Sequence, residues 1–542
     1  MIYNRILKYV TAAAAIIVLA GISTSCDNDV IDLQPVNVLS EITAYETPER
    51  CELSVIGAYD AAQCGVYNGS YSRGYPFGAA SIVQGEMRGQ DMNLTAVFYD
   101  ITYASTYTTA TANNQFYWEA SFECINRLNT VMRGIQTAVE AGVLTAERGD
   151  EYRGELLFLR ALTYHALMIH FALPVNVEGN NSYGLPLYLT AHNTPAEIEE
   201  ALTIGRSSVQ DTYAQILKDL DEAEALFKTN DRHSVNGITR ASKGAVIALK
   251  TRVYLHKRDW AKVKTEAAKL ASQQAAPFTS TVGGFALTDS PATPFTSYGS
   301  NSESIFSIEN NTDDNGSVNG AMSAMMSART GGRAIVTSSP TLYNTAFWLD
   351  DDKRRDLLLY SSTFSYYFCD KYQNPQTREE YAPIIRYAEV LLNYAEAALR
   401  SGDKALALEL LNAVRNRSLA DPATQAYTAS SFADDKAFME AIVWERRIEF
   451  HGEGRRWEDI HRLAADDLAP SGGIPAKIEY SVVRDLIRDG GEAFVVGGEV
   501  KAGWFGANKA FIPYPDKRFL WPIPYVDIMR NSTLAAQQNA GW

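Results

Sequence analysis

IIRYAEVLLNYAEAALRSGDKALALELLNAVRNR, residues 384–417, reads as two helices joined by one tight turn. Ile384, Ala388, Leu391, Ala395 and Ala398 recur at steps of three and four, which lays a single apolar stripe along a helix. Gly402 stops that helix, and Asp403 is placed to accept the first free amides of a second one, whose apolar face is Ala405, Leu406, Leu410, Leu411 and Val414. Small residues at the contact, Ala395, Ala397 and Ala398, let the two helices approach closely. Tetratricopeptide-type pairs do the same, although the full repeat consensus is absent here.

Working outward, the same periodicity predicts a helix over 113–136 paired with one over 151–171, and a helix over 209–227 paired with one over 243–256 and followed by 260–270. The expected fold is therefore mostly α: a curved, tetratricopeptide-like scaffold of helix pairs. Five long stretches fit no helical period: 67–111, 171–207, 273–338, 360–383 and 470–531. They are rich in Gly, Ser, Thr, Asn and aromatic residues. Loops of that length in a compact body are usually functional, so binding residues are to be sought there.

The amino terminus carries a different signal. Arg5 and Lys8 precede an apolar stretch over 9–22, and Ser23, Thr24 and Ser25 lead into Cys26. This predicts an export signal over 1–25, removed at Cys26, whose thiol and new amine take several acyl chains. Residues 26–46 then form a lipidated tether, residues 47–272 an N-terminal helical region and residues 273–542 a C-terminal region. A formal charge of −15 disfavours nucleic acid and anionic surfaces as ligands, while neutral ligands are unaffected. Cys51, Cys64, Cys124 and Cys369 lack the short paired spacing of a zinc site and read as buried thiols. Thirty tyrosines and eight tryptophans suggest a surface that uses amphipathic rings for contact.

No phosphate loop, dinucleotide glycine pattern or nucleophile elbow is present, and the seven histidines do not cluster along the chain. Glu445, Glu449 and Glu453 lie four apart among Arg446, Arg447, Arg455 and Arg456, which predicts intrahelical ion pairs. Adjacent arginines would keep those carboxylates ionised and spoil a general acid, so a glycosidase pair is disfavoured. Asn311–Gly316, NTDDNG, has the oxygen ligands of a calcium loop but lacks the first Asp and the closing Glu, so a polar turn is the better reading; no cofactor is otherwise implied.

Several blocks carry a resemblance: CDNDVIDLQP from Cys26, ELLFLRALTYHAL (155–167), SSVQDTYAQILKDLDEAEAL (207–226), residues 240–260, IIRYAEVLLNYAEAAL (384–399), LNAVRNR (411–417), WERRIEFHGEGRRWEDIHRL (444–463) and the tail WPIPYVDIMRNSTLAAQQNAGW. In this order they resemble the SusD/RagB family of outer-membrane nutrient-binding lipoproteins of Bacteroidetes. Departures are small: QNAGW ends the chain in place of QNPGY, and His451 stands where an aromatic or apolar residue is commoner. The resemblance implies a SusD-like fold, a cell-surface lipoprotein anchored in the outer membrane through Cys26, and an oligosaccharide ligand passed to a SusC-like TonB-dependent transporter. It implies no catalysis. A peptide-binding lid of the RagB type and a surface glycoside hydrolase are the alternatives.

Sugar recognition needs flat aromatic faces with Asn, Asp or Arg at the rim. The loop over 67–107 offers Tyr71, Arg73, Tyr75, Arg88, Asp91, Asn93, Tyr99 and Tyr103, and later loops offer Tyr298, Tyr343 and Trp348. The expected platform is Tyr71, Tyr75 and Trp348 with Arg88 and Asp91; Arg73, Asn93 and Tyr298 complete the candidates. Trp118 and Trp457 lie in helical blocks and are assigned to the core.

Overall fold

The computed structural model describes residues 43–64, 74–178 and 182–542, and the backbone of residues 66–67 and 70–71. Cys26, most of the tether and the side chains of Tyr71 and Arg73 lie outside the described residues. The principal helices are α1 (Pro48–Cys64), α2 (Ala79–Arg88), α3 (Ala112–Glu140), α4 (Ala146–Phe171), α5 (Val209–Leu226), α6 (Lys243–His256), α7 (Trp260–Leu270), α8 (Tyr387–Arg400), α9 (Lys404–Asn416), α10 (Asp435–Glu449) and α11 (Arg455–Arg462). The fold is mostly α, as the periodicity predicts. Asp403 caps α9 as expected, and Thr145, Ser208, Ser242, Asp259 and Asp434 likewise each accept from a first-turn amide of the helix they precede. Such caps contribute about 0.5–2 kcal/mol apiece.

Neighbours in sequence pack as neighbours in space. Helix α3 lies on α4, α4 on α5, α5 on α6, α6 on α7, and α8 bridges α7, α9 and α10. One continuous core, from Val55 and Leu156 to Leu391 and Trp521, spans both sides of the 272/273 division. Trp118 and Trp457 are buried, and Cys51, Cys64, Cys124 and Cys369 are buried thiols outside any disulfide. Among the described residues no helix is long and apolar enough to cross a membrane.

Two expectations for the helical blocks need correction. Ile384 does not open a helix: Ala382–Arg386 is a strand, antiparallel to Ser304–Ile308, and α8 begins only at Tyr387. Pro383 biases its predecessor toward extended backbone, and the β-branched Ile384 and Ile385 suit a strand buried along its whole length. The block 444–463 is likewise two helices. Gly452 (φ +76) and Gly454 (φ +77) turn the chain through left-handed backbone, and a Cβ on Gly85 of α2 would stand only 2.8 Å from the Gly454 carbonyl oxygen.

Glu445, Glu449 and Glu453 pair across the fold instead of along the helix, whereas Glu458 and Asp459 of α11 do pair with Arg455 and Arg462 one turn away. Arg386 donates to Glu449 (2.8 Å) and Glu453 (2.8 and 2.9 Å), Lys371 to Glu453 (2.6 Å), and Arg354 to Glu445 and Glu449. Arg160 and Asp219, and Arg252 and Glu389, form further buried pairs.

Short strands complete the frame. β1 (Met92–Leu94) pairs antiparallel with β2 (Val336–Ser338), and β3 (Leu358–Ser361) with β4 (Tyr366–Cys369).

Candidate functional site

The β3–β4 hairpin raises an aromatic platform. Tyr360 stands opposite Tyr367, and Ser361 opposite Tyr366. Side chains alternate between the faces of a strand, so Tyr366 and Phe368 enter a buried cluster with Ile478, Val483 and Trp504, while Tyr360 and Tyr367 share the other face. Ser365 turns the hairpin at φ +58.

Tyr343, ending the short helix Pro340–Tyr343, stacks on Tyr367 with centroids 4.9 Å apart and planes at 28°. Tyr360 meets Tyr367 edge-on at 5.1 Å, and Phe494 meets both Tyr343 and Tyr367 edge-on at 5.1 Å. Beneath them the Arg355 guanidinium lies 4.5 Å from the centroids of Tyr343 and Trp348, and its Nη2 donates to the main-chain oxygens of Tyr343 (3.1 Å) and Trp348 (2.6 Å). Tyr360 is 46% exposed; Tyr343 and Tyr367 are half-buried. Burial, then a hydrogen bond with Tyr343, pushes the Tyr367 phenol up to about 12, so it stays neutral and able to donate as well as accept. The result is a rigid set of rings with phenolic hydroxyls, suited to the C–H faces and hydroxyl edges of a sugar.

The stretch over 67–107 does approach this platform, as a support and not as its surface. Thr337 of β2 links β1 to the hairpin by donating to the Tyr367 main-chain oxygen. The side chains nominated from the sequence turn inward. Asp91 is buried and accepts from Arg447 Nε at 3.0 Å, with Arg456 Nε 3.6 Å away. Burial alone would raise its carboxyl, but those two guanidiniums outweigh burial and hold it below the usual range. Asn93 donates to the Tyr366 hydroxyl at 3.0 Å. Arg88 lies 3.4 Å from the centroid of Trp457 and touches His170, and burial lowers it to about 10. Tyr75 accepts from Gln84 at 3.2 Å, and Tyr99, Tyr103 and Trp348 are buried.

Of the expected platform of Tyr71, Tyr75, Trp348, Arg88 and Asp91, the last four are therefore corrected: these groups are interior, while the side chain of Tyr71 lies outside the described residues. The polar, aromatic composition of 67–107 suggested a loop, yet it folds into α2 and β1, whose charges meet counter-ions and rings from α10 and α11. Tyr298 stays half-buried against Tyr381 at 5.0 Å. Tyr360, Tyr367, Phe494 and Arg355 were missed. The signal for the hairpin was present: LLYS and YYFC alternate about STFS.

Asn311 closes a polar turn, its side-chain oxygen accepting from the amides of Asp313 (2.9 Å) and Asp314 (2.8 Å). Histidines scattered in sequence do meet in space, with His165 4.6 Å from His256 and His256 6.5 Å from His461. Among the described residues no group of three or more His, Cys, Asp or Glu is arranged to hold a metal ion. Burial would raise the Glu449 carboxyl, but Arg417, Arg386 and Arg354 hold it far below the usual range, the opposite of what a general acid requires.

The chain is matched by a sequence model described as "SusD family" over residues 358–542 and by one described as "Starch-binding associating with outer membrane" over residues 62–255. The SusD-like protein P38 of Formosa agariphila is 24% identical over 513 residues, covering 86% of this chain and 94% of that protein. A SusD superfamily structure from Bacteroides fragilis has a TM-score of 0.70 and 26% identity, covering 91% of this chain and 99% of its own. Surface glycan-binding protein A from Bacteroides uniformis shares the fold, with a TM-score of 0.65 and 19% identity over 91% of this chain and 100% of that one. With both regions matched and the likeness running through almost the full length, the chain belongs to the SusD/RagB family.

Proposed function

We propose that this protein is a lipid-anchored, surface-exposed outer-membrane receptor that binds oligosaccharide on the Tyr343–Tyr360–Tyr367 platform and delivers it to a SusC-like TonB-dependent transporter. The platform carries the reading: Tyr360 is 46% exposed and held edge-on against Tyr367, which Tyr343, Phe494 and Arg355 brace from behind, so an ordered ring is already presented for a pyranose. The name of the Bacteroides uniformis protein of the same fold, a surface glycan-binding protein, supports the same ligand class, and the description matched over 62–255 supports the outer membrane.

Residues 47–272 and 273–542 act together as a lid over the transporter mouth. Inward movement is driven by the partner. An acyl anchor on Cys26 confines lid and barrel to one membrane and raises their effective concentration. Binding without catalysis is supported by the carboxylates of 445–453, each engaged by a guanidinium or ammonium group.

Calorimetry of the signal-free protein against a panel of neutral oligosaccharides tests the ligand. At least one member is to bind saturably, and the combined Tyr343→Ala, Tyr360→Ala, Tyr367→Ala variant is to lose it. Saturable binding of peptides alone would replace the reading with a peptide-binding lid, and reducing-sugar release would replace it with a hydrolase. Loss of acyl labelling in Cys26→Ala, and co-purification of a barrel with the wild type, test the anchor and the partner.

A further inference from the structure

A cavity of about 580 Å³ shares no lining residue with the tyrosine platform. That volume suits a small organic ligand. Its floor is Leu173, Val177, Phe519 and Leu520, the outer face of a separate hydrophobic cluster centred on Trp457 and Ile460. Tyr183 and Tyr514 form its walls. Tyr183 is 48% exposed, and the Arg206 guanidinium lies 5.5 Å from its ring centroid. Arg206 is itself fixed by bonds to Gly184, Phe171 and Asn539, so Tyr183 stands on a rigid base.

The polar groups of the lining are largely spoken for. Asn539 donates to Phe171 and Trp521 and accepts from Arg206; Gln538 exchanges bonds with the main chain of Ile523. The polar groups left for a ligand are the Tyr183 and Tyr514 hydroxyls and the Lys517 ammonium, set at the edge of flat apolar surface, an arrangement that favours a ring with one polar end over a ligand covered in hydroxyls. Charge is unbalanced in one direction. Asp516 is held by both Nε (2.9 Å) and Nη2 (2.7 Å) of Arg518, while Lys517, exposed at the rim, bonds only a carbonyl oxygen, that of Gly541, and sits 4.4 Å from the Trp542 ring centroid.

We propose that this cavity is a binding site for a small aromatic carboxylate or sulfonate, its ring between Tyr183 and the Leu173–Val177 floor and its anion at Lys517. The site is independent of oligosaccharide binding.

The probe is 8-anilinonaphthalene-1-sulfonate, with neutral N-phenyl-1-naphthylamine as its uncharged counterpart, titrated by fluorescence into the folded, signal-free protein. Both are to bind one per chain. Lys517→Met is to weaken the sulfonate by about three- to fivefold, the range of an exposed ion pair, with the neutral probe unchanged. Val177→Trp, which fills the floor, is to abolish both, and Tyr360→Ala is to change neither. 4-Hydroxycinnamate is to displace the sulfonate; a neutral oligosaccharide is not. Lys517 is exposed, so its variant keeps the test decisive if Val177→Trp fails to fold. No saturable binding by the wild type, an equal effect of Lys517→Met on both probes, or displacement by the oligosaccharide instead of the aryl acid would each overturn the proposal.

Discussion

Nε of Arg447 lies 3.0 Å from Oδ2 of Asp91, a contact between residues 356 positions apart that fastens the segment joining α2 and β1 to helix α10. Both residues are buried. Removing one partner leaves the other charge without compensation. Asp91→Ala is therefore expected to cost about 3–5 kcal/mol in urea unfolding, whereas the double variant Asp91→Leu, Arg447→Met is expected to recover most of that loss. A double variant as unstable as the single one would show that the pair is not the source.

Acid should weaken the fold in two stages. Burial pushes His451 and His461 down to about 4, while an unfolded histidine titrates near about 6.5. Between those values only the unfolded chain takes up the proton. Stability is thus full above about pH 6.5 and falls as the pH drops toward 4. Asp459 gives the second stage: burial opposes its ionisation, but Arg446 and Arg462 hold it at about 2, so its contribution is present above about pH 4 and lost toward pH 2. Calorimetric Tm against pH should be flat near pH 7–8, with His461→Gln reducing the fall between 6.5 and 4 and leaving the lower limb.

On the platform, Tyr360 is the ring with most to lose in contact and least to lose in packing. Tyr360→Ala is expected to weaken oligosaccharide binding by about 1–2 kcal/mol, roughly five- to thirtyfold, with little change in Tm. Tyr367→Ala should weaken binding similarly and also lower Tm, because it removes the ring on which Tyr343 stacks. Calorimetric titration with thermal melts separates the two.

Burial pushes the thiols of Cys124 and Cys369 up to about 12, and Cys51 and Cys64 are enclosed as well. The signal-free protein lacking Cys26 should show no reaction with a disulfide reagent at pH 8 while folded and four reactive thiols in denaturant. Fast labelling of the native state would contradict this packing.

Local patterns carried most of the scaffold. Steps of three and four predicted the α3–α4 and α5–α6 pairs, and the Ser, Thr and Asp caps lie where the helices begin. What failed was local too: at 384–386 and 450–454, strand pairing with Ser304–Ile308 and two left-handed glycines overrode a helical period. In the site, composition pointed to aromatic loops but not to which rings face water. Tyr75 and Tyr360 are equally plausible as letters; one is buried and the other 46% exposed.

By itself the amino-acid sequence determined the helix pairs, the acidic character that turns away nucleic acid, and the order of blocks that marks the family. Each depends on residues near one another in the chain. Only the tertiary structure decided which rings and charges face water. Whether a ring or a carboxylate meets water depends on partners hundreds of positions away: Arg447 draws Asp91 inward, while β3 and β4 turn Tyr360 and Tyr367 away from the buried Tyr366 and Phe368.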